Sequence, residues 1–124
     1  MYSPIVKEHF LHPRNVGDLD HPDRIGEAKN ETDGDWVRLS FRIHNNIIED
    51  VRIRVMGCVA AIALTSFLSE YVKGKTIDQA LAITKEELAQ QVGGLPPQKL
   101  HCSMTCLDAL HTALNPTKGE THGK

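Results

Sequence analysis

The chain has 124 residues, a formal net charge of -2 from 14 basic and 16 acidic side chains, and three cysteines. That length suits one domain, and the near-balanced charge leaves no electrostatic footprint for nucleic acid or for an anionic membrane surface. An odd cysteine count argues against a disulfide framework and for reduced thiols that bind metal or react, so a reducing, cytoplasmic setting is expected.

In chain order, residues 2 to 12 place Ile5, Val6, Phe10 and Leu11 at helical intervals, and Pro13, Asn15 and Gly17 stop the pattern. Residues Ile25 to Lys29 predict a strand, required mainly because a lone hairpin is marginal in water. From Trp36 the chain alternates: Val37, Leu39, Phe41 and Ile43 take one face, and Trp36, Arg38, Ser40, Arg42 and His44 the other. Asn45-Asn46 tolerates positive φ, and Val51, Ile53 and Val55 then alternate with Arg52 and Arg54, which predicts a hairpin.

After Gly57-Cys58 the pattern becomes helical from Val59 through Val72, with Gly74 as a terminating glycine after Lys73. Thr76 with Gln79 and Thr84 with Glu87 have capping-box spacing and predict two short helices. Gly93-Gly94 and Pro96-Pro97 break the chain, and the longest apolar run, Val59 to Leu64, falls far short of the roughly 20 residues of a membrane span. A last helix is expected from about Lys99 to Leu114, burying some of Leu100, Met104, Leu107, Leu110 and Leu114. Together these elements predict an α+β domain over residues 1–116: a small three-stranded antiparallel sheet, an N-terminal helix and a C-terminal set of helices on one face. Residues 117–124 are expected to form a flexible tail.

Three segments carry chemistry: Asp33-Gly34-Asp35 before a strand, Gly57-Cys58 between strand and helix, and His101-Cys102 at a helix start. Thiol, imidazole and carboxylate are the donors that iron and zinc accept, and a helix N-terminus favours the thiolate. Gly34 and Gly57 permit backbone conformations that would let neighbouring side chains converge. Cys106, four residues after Cys102, falls on the same helix face and could add a third thiol. Each feature also has a plain structural reading. Cys58 and Cys106 could be small core residues, Asp33-Gly34-Asp35 a turn, and His9, His12, His21, His44, His111 and His122 solvated or locally hydrogen-bonded. A thiol enzyme with Cys102 activated by His101 is disfavoured, because adjacent helical residues point in different directions.

The order of motifs resembles the IscU/NifU-type iron–sulfur cluster assembly scaffolds over nearly the whole length. The resemblance lies in Tyr2, the run from His9 to Gly17 (HFLHPRNVG), Gly34-Asp35, Met56-Gly57-Cys58 with Ala60-Ala61-Ile62-Ala63, Lys73-Gly74-Lys75-Thr76, and Leu95-Pro96-Pro97 through His101-Cys102-Ser103. It implies a non-enzymatic scaffold or carrier that binds iron and a transient [2Fe-2S] cluster, with zinc able to occupy the same position. It further implies a cysteine desulfurase, an Hsp70-type chaperone and apo iron–sulfur proteins as partners, and a monomer or homodimer. The implied metal ligands are Asp35, Cys58, His101 and Cys102, with Asp33 where the family's first cysteine would stand. Cys106 is then a candidate replacement thiol, and Cys102 the expected sulfur acceptor. The implied chaperone-recognition segment is Leu95-Pro96-Pro97-Gln98-Lys99, in which Gln98 replaces an apolar residue. No long insertion separates Cys58 from Cys102, which is more like the IscU branch than the SufU branch. The alternative is a divergent zinc-binding relative with a structural or regulatory role, since tetrahedral zinc tolerates mixed carboxylate, imidazole and thiolate ligation.

Overall fold

Strand alternation and helix caps set the elements of the protein, described here from a computed structural model that covers residues 2–31, 34–96 and 101–115. In order they are α1 (Pro4–Leu11), β1 (Arg24–Asn30), β2 (Asp35–His44), β3 (Ile47–Met56), α2 (Val59–Val72), α3 (Ile77–Leu81), α4 (Lys85–Gln91) and α5 (His101–Leu114). The strands form one three-stranded antiparallel sheet, as the sequence predicts, and β1 pairs with β2, which gives the order β1-β2-β3. Asn45 and Asn46 both adopt positive φ, 52° and 66°, the backbone that matches a two-residue loop to the twist of its strands. The register shifts by a bulge between Arg42 and Ile43, and Ile43 is half-buried.

The inner sheet face consists of Val37, Leu39, Phe41, Val51 and Ile53, all essentially inaccessible to water. Helices α2 and α5 cover it through Leu64, Leu68, Leu110 and Leu114, while α1 packs on α2, and α3 and α4 pack on α5. Each such aliphatic side chain stabilises the fold by about 1.5–3 kcal/mol on burial. Cys102, Cys106, Ala109 and Ala113 are small residues among the buried positions of α5. At Ala109 and Ala113 the helix comes so close to β1 that a Cβ on Gly26 would lie 2.2 Å from the Ala109 carbonyl oxygen. Of the apolar residues of which some were expected to be buried, Leu107, Leu110 and Leu114 are buried, while Met104 is 41% exposed. Lys99, Leu100, Pro116 and the tail 117–124 lie outside the described residues.

Local caps differ in completeness. Thr76 and Gln79 form both halves of a capping box. At α4, Thr84 accepts from the Glu87 amide, but the Glu87 carboxylate accepts from the Tyr71 hydroxyl instead of closing the box. Gly74 takes φ +87° as expected of a terminating glycine, yet its N–H donates to the Ile48 carbonyl and so ties the end of α2 to the start of β3.

The run from Pro13 to Gly17, which ends α1, also extends the sheet. The Ile53 amide donates to the Asn15 carbonyl at 2.7 Å and the Gly17 amide donates to the Ile53 carbonyl at 2.9 Å, so Val16 forms a parallel bridge beside β3. The same segment is fastened to α2. Ser66 Oγ accepts from the Arg14 amide at 2.9 Å and lies 2.7 Å from His9 Nδ1, and Asn15 Nδ2 donates to Ser69 Oγ at 2.8 Å. His9 is therefore a buried, bonded side chain, not a solvated one. Its position three residues after buried Val6 was the available signal. Among the described residues no helix is long and apolar enough to cross a membrane.

Candidate metal centre

Odd-numbered positions of β2 face the core, so Asp35, at the first position of the strand, is carried inward on the same face as Val37 and Leu39. It is 1% exposed. Gly34 before it turns the chain at φ +76°, a conformation that favours glycine. On the neighbouring strand Trp36 pairs with Met56, which brings Gly57 and Cys58 alongside Asp35 as the chain leaves the sheet. Gly57 acts by size and not by positive φ: a Cβ there would stand 2.4 Å from Asp35 Oδ1.

Cys58 is the N-cap of α2, with its side chain free of any capping bond and its backbone N–H donating to Asp35 Oδ1 at 3.3 Å. Cys102 lies in the first turn of α5, which packs against α2, and is 1% exposed, whereas Cys58 is half-buried. Three elements thus deliver three donors to one place.

The distances between those donors test what they can hold. Cys58 Sγ and Cys102 Sγ are 3.5 Å apart, and Asp35 Oδ2 lies 3.9 Å from the first and 3.8 Å from the second. Two sulfurs bound at about 2.3 Å to one tetrahedral ion stand about 3.8 Å apart, and a sulfur and an oxygen on that ion about 3.5 Å. The three donors therefore outline one face of a tetrahedral coordination shell. The charge agrees, because a buried carboxylate is costly without a compensating cation, and among the described residues Asp35 takes part in no ion pair. Asp35, Cys58 and Cys102 are the group of possible ligands among the described residues whose donor atoms lie within 4.8 Å of one another.

Cys106 does not join this group. It is buried, its Sγ donates to the Ser103 carbonyl at 3.4 Å, and burial pushes its thiol up to about 12. Four residues add an angular offset and a full turn of rise, so a shared helix face does not bring its sulfur to the same point. Among the described residues, the grouped donors therefore do not include Cys106, the candidate replacement thiol. Asp33 and the side chain of His101 lie outside the described residues, as do Pro97, Gln98 and Lys99 of the expected chaperone segment. Leu95 and Pro96 are half-buried just after α4, with Leu95 packed against the core.

Known proteins share both the sequence and the fold. The chain is 45% identical over 114 residues to the iron-sulfur cluster assembly scaffold protein IscU 1 of Archaeoglobus fulgidus, covering 92% of this chain and 74% of that one. It is 44% identical over 115 residues to the corresponding IscU of Aquifex aeolicus, covering 91% and 73%. Among solved structures, FiSufU of Fervidobacterium islandicum AW-1 superposes with a TM-score of 0.77 at 22% identity, covering 91% of this chain and 96% of that one. The N-terminal NifU-like protein of Brucella abortus gives 0.75 at 16% identity, covering 95% and 94%, and these two likenesses concern the fold. The NifU-like N terminal domain family matches residues 1–122, and the chain belongs to that family.

Proposed function

We infer that the chain is an iron–sulfur cluster assembly scaffold, for which iron and sulfide are cargo, held transiently as a [2Fe-2S] cluster and passed on to apo-proteins. The observation that carries this reading is the convergence of Asp35, Cys58 and Cys102 in a chain about 45% identical to proteins named as such scaffolds. On this reading the residues bind and release cargo, and none is assigned a catalytic role. The fourth donor is assigned to His101 or Asp33, as the family resemblance implies.

The donor set suits temporary holding. Thiolates donate strongly to iron, whereas a carboxylate donates less charge and exchanges more readily, so a site with two thiolates and Asp35 favours release over permanent retention. Asp33 adds a carboxylate where a thiol would bind more firmly, and it cannot carry persulfide sulfur. Cys102 is the expected acceptor of sulfur delivered by a cysteine desulfurase, with Cys58, the less buried of the two residues, beside it. The two sulfurs stand 3.5 Å apart. The segment Leu95-Pro96-Pro97-Gln98-Lys99 is assigned to an Hsp70-type chaperone, and the reduced thiolate site to a reducing, cytoplasmic setting.

Anaerobic reconstitution with ferrous iron and sulfide tests the reading. A brown protein that retains both, and a Cys58→Ala variant that retains neither, is the expected result; equal retention by the variant would overturn it. A second reading is favoured by the donor spacing, which fits one tetrahedral ion: the chain holds zinc and builds no cluster. Stoichiometric zinc in aerobically purified protein, with no sulfide retained after reconstitution, would establish that alternative.

A further inference from the structure

The two donor sulfurs are also close enough to react with each other. Cys58 Sγ and Cys102 Sγ stand 3.5 Å apart, and a disulfide needs about 2.05 Å, so the gap between the sulfurs to be closed is about 1.5 Å. Both residues sit at helix beginnings, Cys58 before α2 and Cys102 in the first turn of α5. Cys58 is half-buried, whereas Cys102 is 1% exposed and has the Cys58 sulfur beside it. Cys106, the remaining cysteine, faces the Ser103 carbonyl inside the core. Among the described residues, the donor group of Asp35, Cys58 and Cys102 offers a single sulfur pair.

We propose that Cys58 and Cys102 form a redox pair: a small-molecule disulfide converts them, in the metal-free chain, to an internal disulfide, and that bond and a bound metal ion exclude each other. The pairing follows from the sulfur geometry, and the exclusion rests on the metal reading above. In the first step the Cys58 thiolate attacks one sulfur of the small disulfide, whose S–S bond breaks and releases one small thiolate. In the second, the Cys102 thiolate attacks Cys58 Sγ and expels the other small thiolate. Two protein thiols lose two electrons in total, one small disulfide is reduced to two thiols, and the protons of Cys58 and Cys102 pass through solvent to the released thiolates. The disulfide leaves Asp35 as the one anionic donor of the three. A metal ion holding both thiolates conversely removes the nucleophiles.

The test uses the full chain, reduced, stripped of metal and incubated with excess oxidised glutathione. Thiols counted after denaturation should fall from the three of the sequence to one, with a mass decrease of about 2 Da and a peptide linking Cys58 to Cys102. Cys106→Ala should form the same link and retain no thiol, while Cys58→Ser and Cys102→Ala should form none. Preloading with Zn²⁺ should slow the reaction by about tenfold or more. Three surviving thiols, a stable glutathione adduct on the wild-type chain, or a link to Cys106 would each overturn the pairing. One bound zinc persisting beside the disulfide would overturn the exclusion. Failure of the reduced chain to bind any zinc or iron would sink the metal reading and leave the sulfur pair standing.

Discussion

A Cβ on Gly57 would lie 2.4 Å from Asp35 Oδ1 and 2.8 Å from its Cγ, so the carboxylate occupies the space a side chain at position 57 would fill. The glycine beside one sulfur donor is what admits the oxygen donor. This arrangement depends on strand register, since Gly57 follows Met56, the partner of Trp36, directly after Asp35 in β2.

Gly57→Ala should therefore act on the site more than on the fold. Gly57 is not among the residues with positive φ, so alanine meets no backbone strain, and the Asp35 side chain is what must move. Metal affinity should fall by about 10–100-fold, as for other losses of a positioned ligand or its support. Isothermal titration with zinc, together with circular dichroism to confirm an unchanged fold, checks this.

Gly26→Ala makes the opposite contrast. The added Cβ would meet the backbone of α5, 2.2 Å from Ala109 O and 2.5 Å from Ala113 N, and neither atom can rotate away. We expect a loss of about 3 kcal/mol or failure to fold, measured as a shift in the urea midpoint. A loss below about 1 kcal/mol would show that β1 and α5 separate easily.

Thiol reactivity should separate the cysteines. With its thiol pushed up to about 12 by burial, Cys106 remains protonated and unreactive at about pH 8, while half-exposed Cys58 is alkylated first. Peptide mapping after brief iodoacetamide treatment reads the order. Cys106→Ala should leave metal retention within about twofold of the parent, as a substitution outside the donor group.

His9 gives the fold a pH dependence. Burial, and then the Arg14 guanidinium, lower its pKa below 6.5, against the opposing pull of Glu70 and Glu8. The unfolded chain consequently binds the proton more readily, so stability is full above the ordinary histidine range and declines as pH falls from about 6.5 through the lowered value. Ser66 fits the neutral ring: its oxygen accepts from the Arg14 amide, and its hydroxyl can donate to His9 Nδ1. Denaturation of the parent and of His9→Gln at about pH 5 and about pH 8 should show a smaller pH effect in the variant. An equal effect in both would assign the dependence to other groups.

Much of the fold was legible along the chain because its causes are local. Alternation from Trp36 to Ile43 and from Val51 to Val55 reflects the two-residue strand period, and Asn45-Asn46 supplies the positive φ of the hairpin. Thr76 and Thr84 mark helix starts because a hydroxyl in that position caps an amide two or three residues on. Donor chemistry was legible for the same reason, since a thiol or carboxylate keeps its affinity for metal wherever it stands, and Asp35, Cys58 and Cys102 were all named from sequence.

Which donors meet is a matter of distance between elements, and helical spacing does not contain it. Cys102 and Cys106 share a face of α5, yet one sulfur reaches Cys58 and the other turns to Ser103. The same limit hid the burial of His9 under α2, the bridge of Val16 to β3 and the diversion of Glu87 to Tyr71. The sequence by itself determined the elements and the kinds of ligand, because these follow from neighbours a few residues apart. Only the packing of β2 and β3 against α2 and α5 decided that three of those ligands converge, because convergence depends on contacts among residues far apart in the chain.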